Sequence, residues 1–182
     1  MKDPVGVVHG RFQLLHNDHV RYILDGREHC DHLIIGICNP DERLTKYTKS
    51  NPHRSLKENN PFTYYERYQM IKGTLVSIGI STKEFDIVPF PINYPKRIFN
   101  YVPRDAKFYM TIYDAWGYEK KEALDSIGCK TEVLREVSLA EKGISGSAVR
   151  KLIKEKRDWN AYVPAYVYDY IIHNENLLAR IC

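Results

Sequence analysis

The sequence predicts an α/β fold with a doubly wound parallel sheet, because short apolar runs alternate with helical segments along its 182 residues. The first two apolar runs stop at His9-Gly10 and Asn39-Pro40, as buried strands do where they enter a loop. Parallel neighbours require crossover connections, which are right-handed in nearly all proteins, so helices are expected on both faces of the sheet.

Five strands alternate with helices in this prediction. The strands are expected at residues 5–8, 33–38, 85–89, 106–111 and 131–135. The helices are expected from about residue 19, and then at residues 63–78, 116–127, 145–156 and 164–173. Asn17 and Asp18 are the N-cap candidates of the first helix, and Thr63 is that of the second. Residues 41–60 are polar and contain Pro52, which predicts a long flexible loop.

Composition excludes several classes of protein. The chain is 43% hydrophobic and 27% charged, which excludes a disordered chain, a collagen-like chain and a disulfide-stapled mini-protein. No apolar run approaches the roughly 20 residues that span a bilayer, and the first residues lack a secretory signal. No repeat or linker divides the chain, so we expect a single domain over residues 1–182, located in the cytoplasm, with no membrane partner.

The ionisable residues favour a small anionic ligand. The net charge of +4 fits a phosphate-bearing ligand and is too small to indicate nucleic acid. The four cysteines show no C-x-x-C spacing, which disfavours a zinc or redox motif and fits a reducing compartment. The histidines are unevenly distributed, because five of the seven lie in the first 32 residues: His9, His16, His19, His29 and His32.

The segment from Gly10 to His19 carries groups suited to phosphate. Gly10 lets the backbone turn and approach a ligand, and Arg11 offers a rigid fork of donors for phosphate oxygens. His16 and His19 are three residues apart, so they share a face of a helical turn. The free N–H groups at a helix start attract anions. Two histidines at this spacing also occur by chance, and H-x-x-H without the glutamate is not a metalloprotease motif.

A second candidate phosphate site lies at residues 143–150, which read Gly-Ile-Ser-Gly-Ser-Ala-Val-Arg. Ser145 is an N-cap candidate, and Gly146 and Ser147 leave the helix start open for a bound phosphate. Arg150 lies one turn later and leans back toward that start, because helical side chains tilt toward the N-terminus. An ordinary capped surface helix, in which Arg150 belongs to a basic run, explains the same residues.

Together the two segments resemble the nucleotidylyltransferase superfamily. Residues 10–19 resemble its G-R-F-Q-P-x-H-x-G-H signature, and residues 144–150 resemble its I-S-G-T-x-x-R signature. Residues 60–67 are similar to its D-P-F-T-x-x-E-R helix start, and Asp158-Trp159 looks like its C-terminal D-W element. The resemblance is nearest to the archaeal-type nicotinamide-nucleotide adenylyltransferases. It implies a Rossmann-like doubly wound parallel sheet with C-terminal helices.

The resemblance implies adenylyl transfer, in which the 5′-phosphate of nicotinamide or nicotinate mononucleotide attacks the α-phosphorus of ATP and pyrophosphate leaves. Mg²⁺ carried by ATP neutralises the departing pyrophosphate, and no separate protein metal site is expected. Catalysis is thereby assigned to His16, His19, Arg11 and Lys57. ATP binding is thereby assigned to Gly10, Arg11, Phe12, Gln13, His16, His19, Ser145, Gly146, Ser147 and Arg150.

Departures from the family pattern affect the acceptor. Asp18 replaces the glycine between the histidines, where its carboxylate either caps the helix or approaches Mg²⁺. The arginine that relatives carry before the D-P-F-T segment corresponds here to Lys57 or Arg54, and a solvated loop charge explains either equally well. Phe99 falls where relatives have a nicotinamide-stacking tryptophan, and Lys96 falls where they have an asparagine. Phe99 and Lys96 are therefore the acceptor-binding candidates.

Two other interpretations stay open. The same fold serves other phosphorylated acceptors and also CTP as donor, and a nucleotide-binding protein that has lost catalysis retains such motifs as well. A class I aminoacyl-tRNA synthetase shares the histidine motif, but 182 residues leave no room for a tRNA-binding domain. Relatives often form homo-oligomers, and periodicity does not show whether the tyrosine-rich residues 162–170 pack in the core or at such an interface.

Overall fold

The computed structural model describes residues 2–45, 55–138, 141 and 143–181. Its strands are β1 (Asp3–Gly10), β2 (Cys30–Cys38), β3 (Phe85–Phe90), β4 (Lys107–Ile112) and β5 (Lys130–Glu136). They form one parallel sheet in the spatial order β3-β2-β1-β4-β5. Because the strand order reverses between β1 and β4, the sheet is doubly wound. The predicted fold class is confirmed.

Six α-helices lie in the described residues. They are α1 (Asn17–Glu28), α2 (Tyr64–Ser77), α3 (Ala115–Asp125), α4 (Gly146–Lys154), α5 (Ala165–Ile172) and α6 (Glu175–Ile181). The first five match predicted helices to within a few residues. The sequence does not predict α6, because seven residues are too few for helical periodicity to stand out. None of the helices in these ranges combines the length and hydropathy needed to cross a bilayer.

The start of α1 corrects one prediction. Its N-cap is His16, whose backbone is extended (φ −132°, ψ 171°) and whose side chain makes no capping hydrogen bond. Neither Asn17 nor Asp18 is the N-cap, because both already lie inside the helix. The Asn17 amide instead donates a hydrogen bond to the carbonyl oxygen of Ala161, 3.0 Å away. This bond ties α1 to the turn before α5.

The start of α2 follows the prediction. The Thr63 hydroxyl accepts a hydrogen bond from the backbone N–H of Glu66, at 3.3 Å, and the Glu66 carboxylate accepts one from the backbone N–H of Thr63, at 2.8 Å. This reciprocal capping box satisfies two N–H groups that the helix itself leaves unpaired. Of the predicted loop 41–60, residues 46–54 lie outside the described residues, while Glu42–Leu44 and Lys57–Asn59 form single 3₁₀ turns.

Two apolar clusters cover the two faces of the sheet. On one face, which we call the α1 face, Val8 and Tyr109 pack with side chains of α1, α2, α4 and α5. On the other, the α3 face, Val7 and Phe108 pack with Leu124 of α3. Val7 and Val8 fall in different clusters because successive strand residues point to opposite faces. The carboxyl ends of β1 and β4 therefore receive side chains from both layers.

Candidate active site

A cleft opens at the carboxyl ends of β1 and β4, where the strand order reverses. Its cavity volume is about 200 Å³. The structure brings the two predicted motifs together here, although they come from opposite ends of the chain. The residues predicted to bind ATP that line the cleft are Gly10, Arg11, Phe12, Gln13, His16, His19, Ser145, Gly146 and Ser147.

The rings of His16 and His19 stack on one another at the start of α1. Their centroids are 3.6 Å apart and their planes meet at 22°, so the shared face predicted from their spacing is confirmed. Phe12 packs against His19 edge-on, with the centroids 5.1 Å apart. Burial, followed by the neighbouring His16 and Arg11, holds the pKa of His19 well below its usual value. His19 is therefore neutral near pH 7 and carries a single N–H donor.

The turn after β1 depends on glycine at position 10. Phe12 has a φ of 52°, in the left-handed region that residues with a side chain rarely adopt, and its ring is fully buried. The ring folds back beneath Gly10, where an added Cβ would lie 2.9 Å from the Phe12 Cζ atom. The absence of a side chain at Gly10 lets the ring pack, and this packing holds the strained backbone of Phe12 in place.

Gln13 anchors the loop after β1 to the residues before α2. Its Nε2 donates a hydrogen bond to the carbonyl oxygen of Phe62, at 2.8 Å, and its Oε1 accepts one from the Phe62 N–H, at 2.9 Å. Both ends of the buried amide are thus satisfied by the same backbone unit. Gln13 lines the cleft as predicted, and its side chain positions the loop that carries Arg11 and His16.

Arg67 of α2 is a positioning residue that sequence reasoning missed. It is 1% exposed, and its guanidinium donates to the carbonyl oxygens of Arg11 (2.8 Å), Cys38 (2.7 Å) and Asn39 (2.8 Å). Burial lowers its pKa to about 10, so it stays charged at neutral pH. Arg67 joins the ends of β1 and β2 to α2. The sequence offers one signal for this role: Arg67 is the last residue of the segment 60–67, which resembles the D-P-F-T-x-x-E-R helix start of the family.

Arg150 lies behind the cleft wall and is buried. Its guanidinium donates hydrogen bonds to the carbonyl oxygen of Gln13, to Asn59 Oδ1 at 3.1 Å and to Ser147 Oγ at 3.3 Å. The contact with Ser147 confirms that Arg150 leans back toward the start of α4. The structure assigns the side chain to bracing the loop after β1, and its contact with a triphosphate stays a prediction.

The start of α4 packs directly on the loop after β1. Ser145 Oγ accepts a hydrogen bond from the Ala148 N–H, at 3.2 Å, so the predicted N-cap is confirmed. A Cβ at Gly146 would lie 2.8 Å from the carbonyl oxygen of Gln13 and 2.9 Å from the backbone nitrogen of Leu14. Only glycine therefore allows this approach, which places the N-terminus of α4 at the cleft.

The loop cation predicted for catalysis lies outside the cleft. Lys57 has a side chain that is 91% exposed, and its Nζ is 3.8 Å from Glu42 Oε1. The alternative residue, Arg54, lies outside the described residues. Asn59, two residues after Lys57, is the residue of this turn that reaches the site, because its side-chain oxygen accepts a hydrogen bond from Arg150.

The two predicted acceptor-binding residues also lie away from the histidines. Lys96 is exposed on the 3₁₀ segment Pro95–Asn100. Phe99 packs against the apolar cluster of the α3 face, and the guanidinium carbon of Arg104 sits 4.4 Å from its ring centroid. Neither Phe99 nor Lys96 lines the cleft, because the segment Pro95–Asn100 packs on the apolar cluster of the α3 face.

Asp18 faces the cleft from the first turn of α1. A Cβ at Gly143 would collide with the Asp18 carboxylate, so the glycine leaves the room that this side chain occupies. Asp18 thereby lies between the histidine pair and the segment that leads into α4. The described residues contain no group of three or more His, Cys, Asp or Glu side chains placed to hold a metal ion.

Further residues line the cleft beyond those predicted to bind ATP. Tyr22 Oη donates a hydrogen bond to the carbonyl oxygen of Tyr109 at 2.6 Å and accepts one from the His9 N–H at 3.3 Å. These two bonds join α1 to β4 and β1. Ligands bind beyond the carboxyl ends of parallel strands, which predicts that residues at the end of β4 line the cleft. The sequence carries no signal for Lys120 of α3. These additional lining residues are His9, Tyr22, Met110, Thr111, Tyr113, Lys120 and Ile144.

The cytidylyltransferase-like family matches residues 7–152, a range that contains both motifs and every residue lining the cleft. The chain belongs to the cytidylyltransferase-like family. It is a nucleotidyltransferase, since this activity is common to the relatives with which it shares most of its length. The resemblance to nucleotidylyltransferases that the two motifs predicted is confirmed.

Two relatives show how the chain lies within the family. It is 43% identical to a phosphonoformate cytidylyltransferase from Streptomyces viridochromogenes over 162 residues, which cover 89% of this chain and 87% of the relative. It is 27% identical to a nicotinamide-nucleotide adenylyltransferase from Saccharolobus solfataricus over 168 residues, which cover 92% and 89%. The more similar of these two relatives is thus a cytidylyltransferase.

The fold is shared with more distant solved structures. A bifunctional NMN adenylyltransferase/ADP ribose pyrophosphatase from Francisella tularensis superposes with a TM-score of 0.68 at 14% sequence identity. The superposition covers 100% of this chain and 52% of that one, so the chain spans about half the length of the Francisella protein. At this identity the likeness establishes the architecture alone.

Proposed function

We propose that this nucleotidyltransferase transfers a cytidylyl group from CTP to a small phosphonate acceptor and releases pyrophosphate. The observation that carries nucleotidyl transfer is the stacked pair His16–His19, which shares one cleft with the N-terminus of α4. The choice of CTP and of a phosphonate rests on the 43% identity with the Streptomyces phosphonoformate cytidylyltransferase. The positions of Phe99 and Lys96, outside the cleft wall, also favour an acceptor other than a nicotinamide nucleotide.

The reaction needs no nucleophile from the protein. An oxygen of the acceptor's phosphonate attacks the α-phosphorus of CTP and forms the new P–O bond. The bond from the α-phosphorus to the bridging oxygen breaks, and its electron pair leaves with pyrophosphate. Catalysis then consists of holding the two reactants in line and of aiming hydrogen-bond donors at the developing charge. His16 supplies such a donor to the α-phosphate, and the neutral His19 donates to the phosphates held at the start of α1.

The cleft suits a magnesium ion that arrives with the nucleotide. Mg²⁺ is usually held by one or two carboxylates together with substrate phosphates, and the cleft offers the Asp18 carboxylate beside the histidine pair. Asp18 would hold the ion together with the triphosphate. When bound, the ion supplies neutralisation of the charge on the departing pyrophosphate.

Adenylyl transfer to nicotinamide or nicotinate mononucleotide is the second candidate function. It is favoured by the match of residues 10–19 to the adenylyltransferase signature and by the 27% identity with the Saccharolobus enzyme. The two functions differ in both donor and acceptor. Assaying each nucleotide with each acceptor in one experiment therefore distinguishes the two functions.

The test measures pyrophosphate release by the purified protein with CTP or ATP against phosphonoformate, nicotinamide mononucleotide and nicotinate mononucleotide. We expect kcat/KM to be highest for CTP with phosphonoformate, and ³¹P NMR to show a new phosphonate–phosphate anhydride. Preference for ATP with either mononucleotide overturns the proposal in favour of the second candidate. Nucleotide binding without pyrophosphate release from any pair indicates a protein that has lost catalysis.

A further inference from the structure

His9, the penultimate residue of β1, places a buried imidazole in the wall of the cleft. It is 5% exposed, and its ring stacks on Phe90 with the centroids 4.7 Å apart and the planes at 17°. The stacking fixes the orientation of the ring. Neither ring nitrogen has a hydrogen-bond partner within the described ranges 2–45, 55–138, 141 and 143–181. Buried polar atoms are nearly always paired, so an unpartnered imidazole in a cleft indicates a ligand.

Lys120 of α3 lines the same cleft and acts electrostatically on His9. Burial, and secondarily the Lys120 ammonium, lower the pKa of His9 to about 3. At neutral pH the imidazole is therefore uncharged and presents one N–H donor in the cleft that Lys120 also lines. A neutral donor and an ammonium group that line the same cleft match an anion, because an anion can accept hydrogen bonds from both.

His9 and Lys120 approach the cleft from the side of the sheet opposite to α1 and α4. His9 is two residues beyond Val7, so both point to the α3 face, where Phe90 also packs. Lys120 belongs to α3, which covers that face through Leu124. His16 and His19 instead stand at the start of α1, which packs on the α1 face. The two sets of groups therefore meet different parts of whatever occupies the cleft.

We propose that His9 and Lys120 form the subsite for the carboxylate of a carboxyl-bearing phosphonate acceptor. This inference rests on the proposed function, in which the acceptor's phosphonate reacts near His16 and His19. The second anionic group of such an acceptor then needs hydrogen-bond donors of its own in the cleft. His9 donates its N–H and Lys120 its ammonium hydrogens to that carboxylate, and the pair thereby selects the acceptor without taking part in bond breaking.

The test compares kinetic constants of His9→Phe and Lys120→Met with those of the wild type. His9→Phe keeps the ring that stacks on Phe90 and removes its nitrogens, and Lys120→Met keeps the alkyl stem and removes the charge. Lys121→Met is the matched control, because Lys121 lies on the same helix and pairs with Asp125, 2.6 Å away. The acceptors are phosphonoformate and methylphosphonate, which lacks the carboxylate.

We expect each of the two cleft variants to raise the KM for phosphonoformate about tenfold to a hundredfold, as loss of a hydrogen bond to a charged group does. The KM for CTP should stay within about threefold, and the preference of the wild type for phosphonoformate over methylphosphonate should disappear. The control should match the wild type. A rise in the KM for CTP instead, or unchanged constants in both variants, overturns the subsite.

A binding measurement keeps this test independent of turnover. Titration calorimetry with phosphonoformate is carried out on the wild type, on both cleft variants and on Lys121→Met. Weaker binding in the two cleft variants alone supports the subsite even if no nucleotide is consumed, in which case the proposed function fails and the subsite stands. Equal binding by all four proteins overturns the subsite even if cytidylyl transfer is observed.

Discussion

Arg150 of α4 donates a hydrogen bond to the carbonyl oxygen of Gln13 in the loop after β1. The two residues belong to the two motifs that lie at opposite ends of the chain. The same guanidinium reaches Asn59, which precedes α2. One buried cation thus holds together three segments around the cleft. Burial lowers its pKa from the usual value, but an arginine keeps its charge at any physiological pH.

Replacing Arg150 with methionine should destabilise the fold as well as the site. The Gln13 carbonyl and the Asn59 amide oxygen lose a charged donor, which typically costs about 2–3 kcal/mol. Urea unfolding at pH 7 measures this loss. Lys151→Met is the control, because Lys151 is exposed and its contact with Glu155 is a surface pair at 3.7 Å, worth less than about 1 kcal/mol. Equal stability of the two variants would contradict the bracing role.

Replacing His16 with alanine should affect turnover far more than nucleotide binding. Loss of one donor aimed at the developing charge typically lowers kcat by about 10²–10³-fold. The dissociation constant for CTP, measured by calorimetry, should change by much less than kcat. His32→Ala is a suitable control, since His32 contacts Asp86 at the surface, 3.0 Å away. A kcat near that of the wild type would remove His16 from the mechanism.

Replacing Gly146 with alanine should weaken both the fold and nucleotide binding. The new Cβ would lie within 2.9 Å of two backbone atoms of the loop after β1, and backbone cannot swing aside as a side chain does. We expect a loss of about 1–3 kcal/mol in the free energy of unfolding and a higher KM for CTP. Ala148→Ser, on the exposed side of the same helix, should show neither effect. Wild-type KM and stability in Gly146→Ala would show that the contact is easily relieved.

Replacing His9 with phenylalanine should make the free energy of unfolding depend less on pH below pH 7. The folded pKa of His9 is about 3 and its unfolded value about 6.5, so below pH 6.5 the unfolded chain binds a proton that the folded chain does not. This contribution to stability is present above pH 6.5 and is lost as the pH falls. Between pH 7 and pH 5 the wild type should lose about 2 kcal/mol from this group, and His9→Phe should not. Parallel losses in urea unfolding would contradict the shifted pKa.

Lys96→Met and Phe99→Leu test the acceptor site predicted from the resemblance. Neither side chain lines the cleft, so the KM for the acceptor should change by less than about threefold in each variant. Leucine at position 99 preserves apolar packing against the α3-face cluster. The measurement is the acceptor KM in the pyrophosphate assay at saturating nucleotide. A tenfold rise would show that the segment Pro95–Asn100 reaches the acceptor during turnover.

Much of the fold follows from local pattern in the sequence. The runs at residues 33–38 and 106–111 are apolar enough to be read as buried strands, and Thr63 is a recognisable N-cap that the structure confirms. The start of α1 was predicted wrongly because Asn17 and Asp18 are good caps by residue type. The extended backbone of His16 decides the boundary instead, and the path of the loop after β1 sets that backbone. Caps depend on the direction in which the chain enters a helix, which residue type does not encode.

The parts of the site that could be predicted from the sequence are those whose geometry is set within one short segment. The spacing of His16 and His19 places both rings on one helical turn, and residue type at Ser145 and Gly146 marks a helix start. The predictions for Lys57, Phe99 and Lys96 rest on the family resemblance alone. The structure leaves all three residues outside the cleft wall. Sequence reasoning misses Arg67 because its partners are backbone carbonyls from two separate segments, at Arg11 and at Cys38-Asn39, and no periodicity reveals such contacts.

The sequence by itself determined the order of the five strands and of the first five helices, the nucleotidyltransferase motifs and the pairing of the two histidines. The order of elements and the histidine pairing depend on contacts between near neighbours in the chain, which hydrophobic period and spacing report directly. The motifs are recognised by their resemblance to a known family. Tertiary structure alone decided that Arg150 is a brace, that Asp18 faces the cleft and that His9 and Lys120 line the same cleft. Each of these depends on which face of the sheet an element covers. The face that each element covers is decided by how the whole chain buries its apolar surface, because no segment can bury its own apolar surface alone.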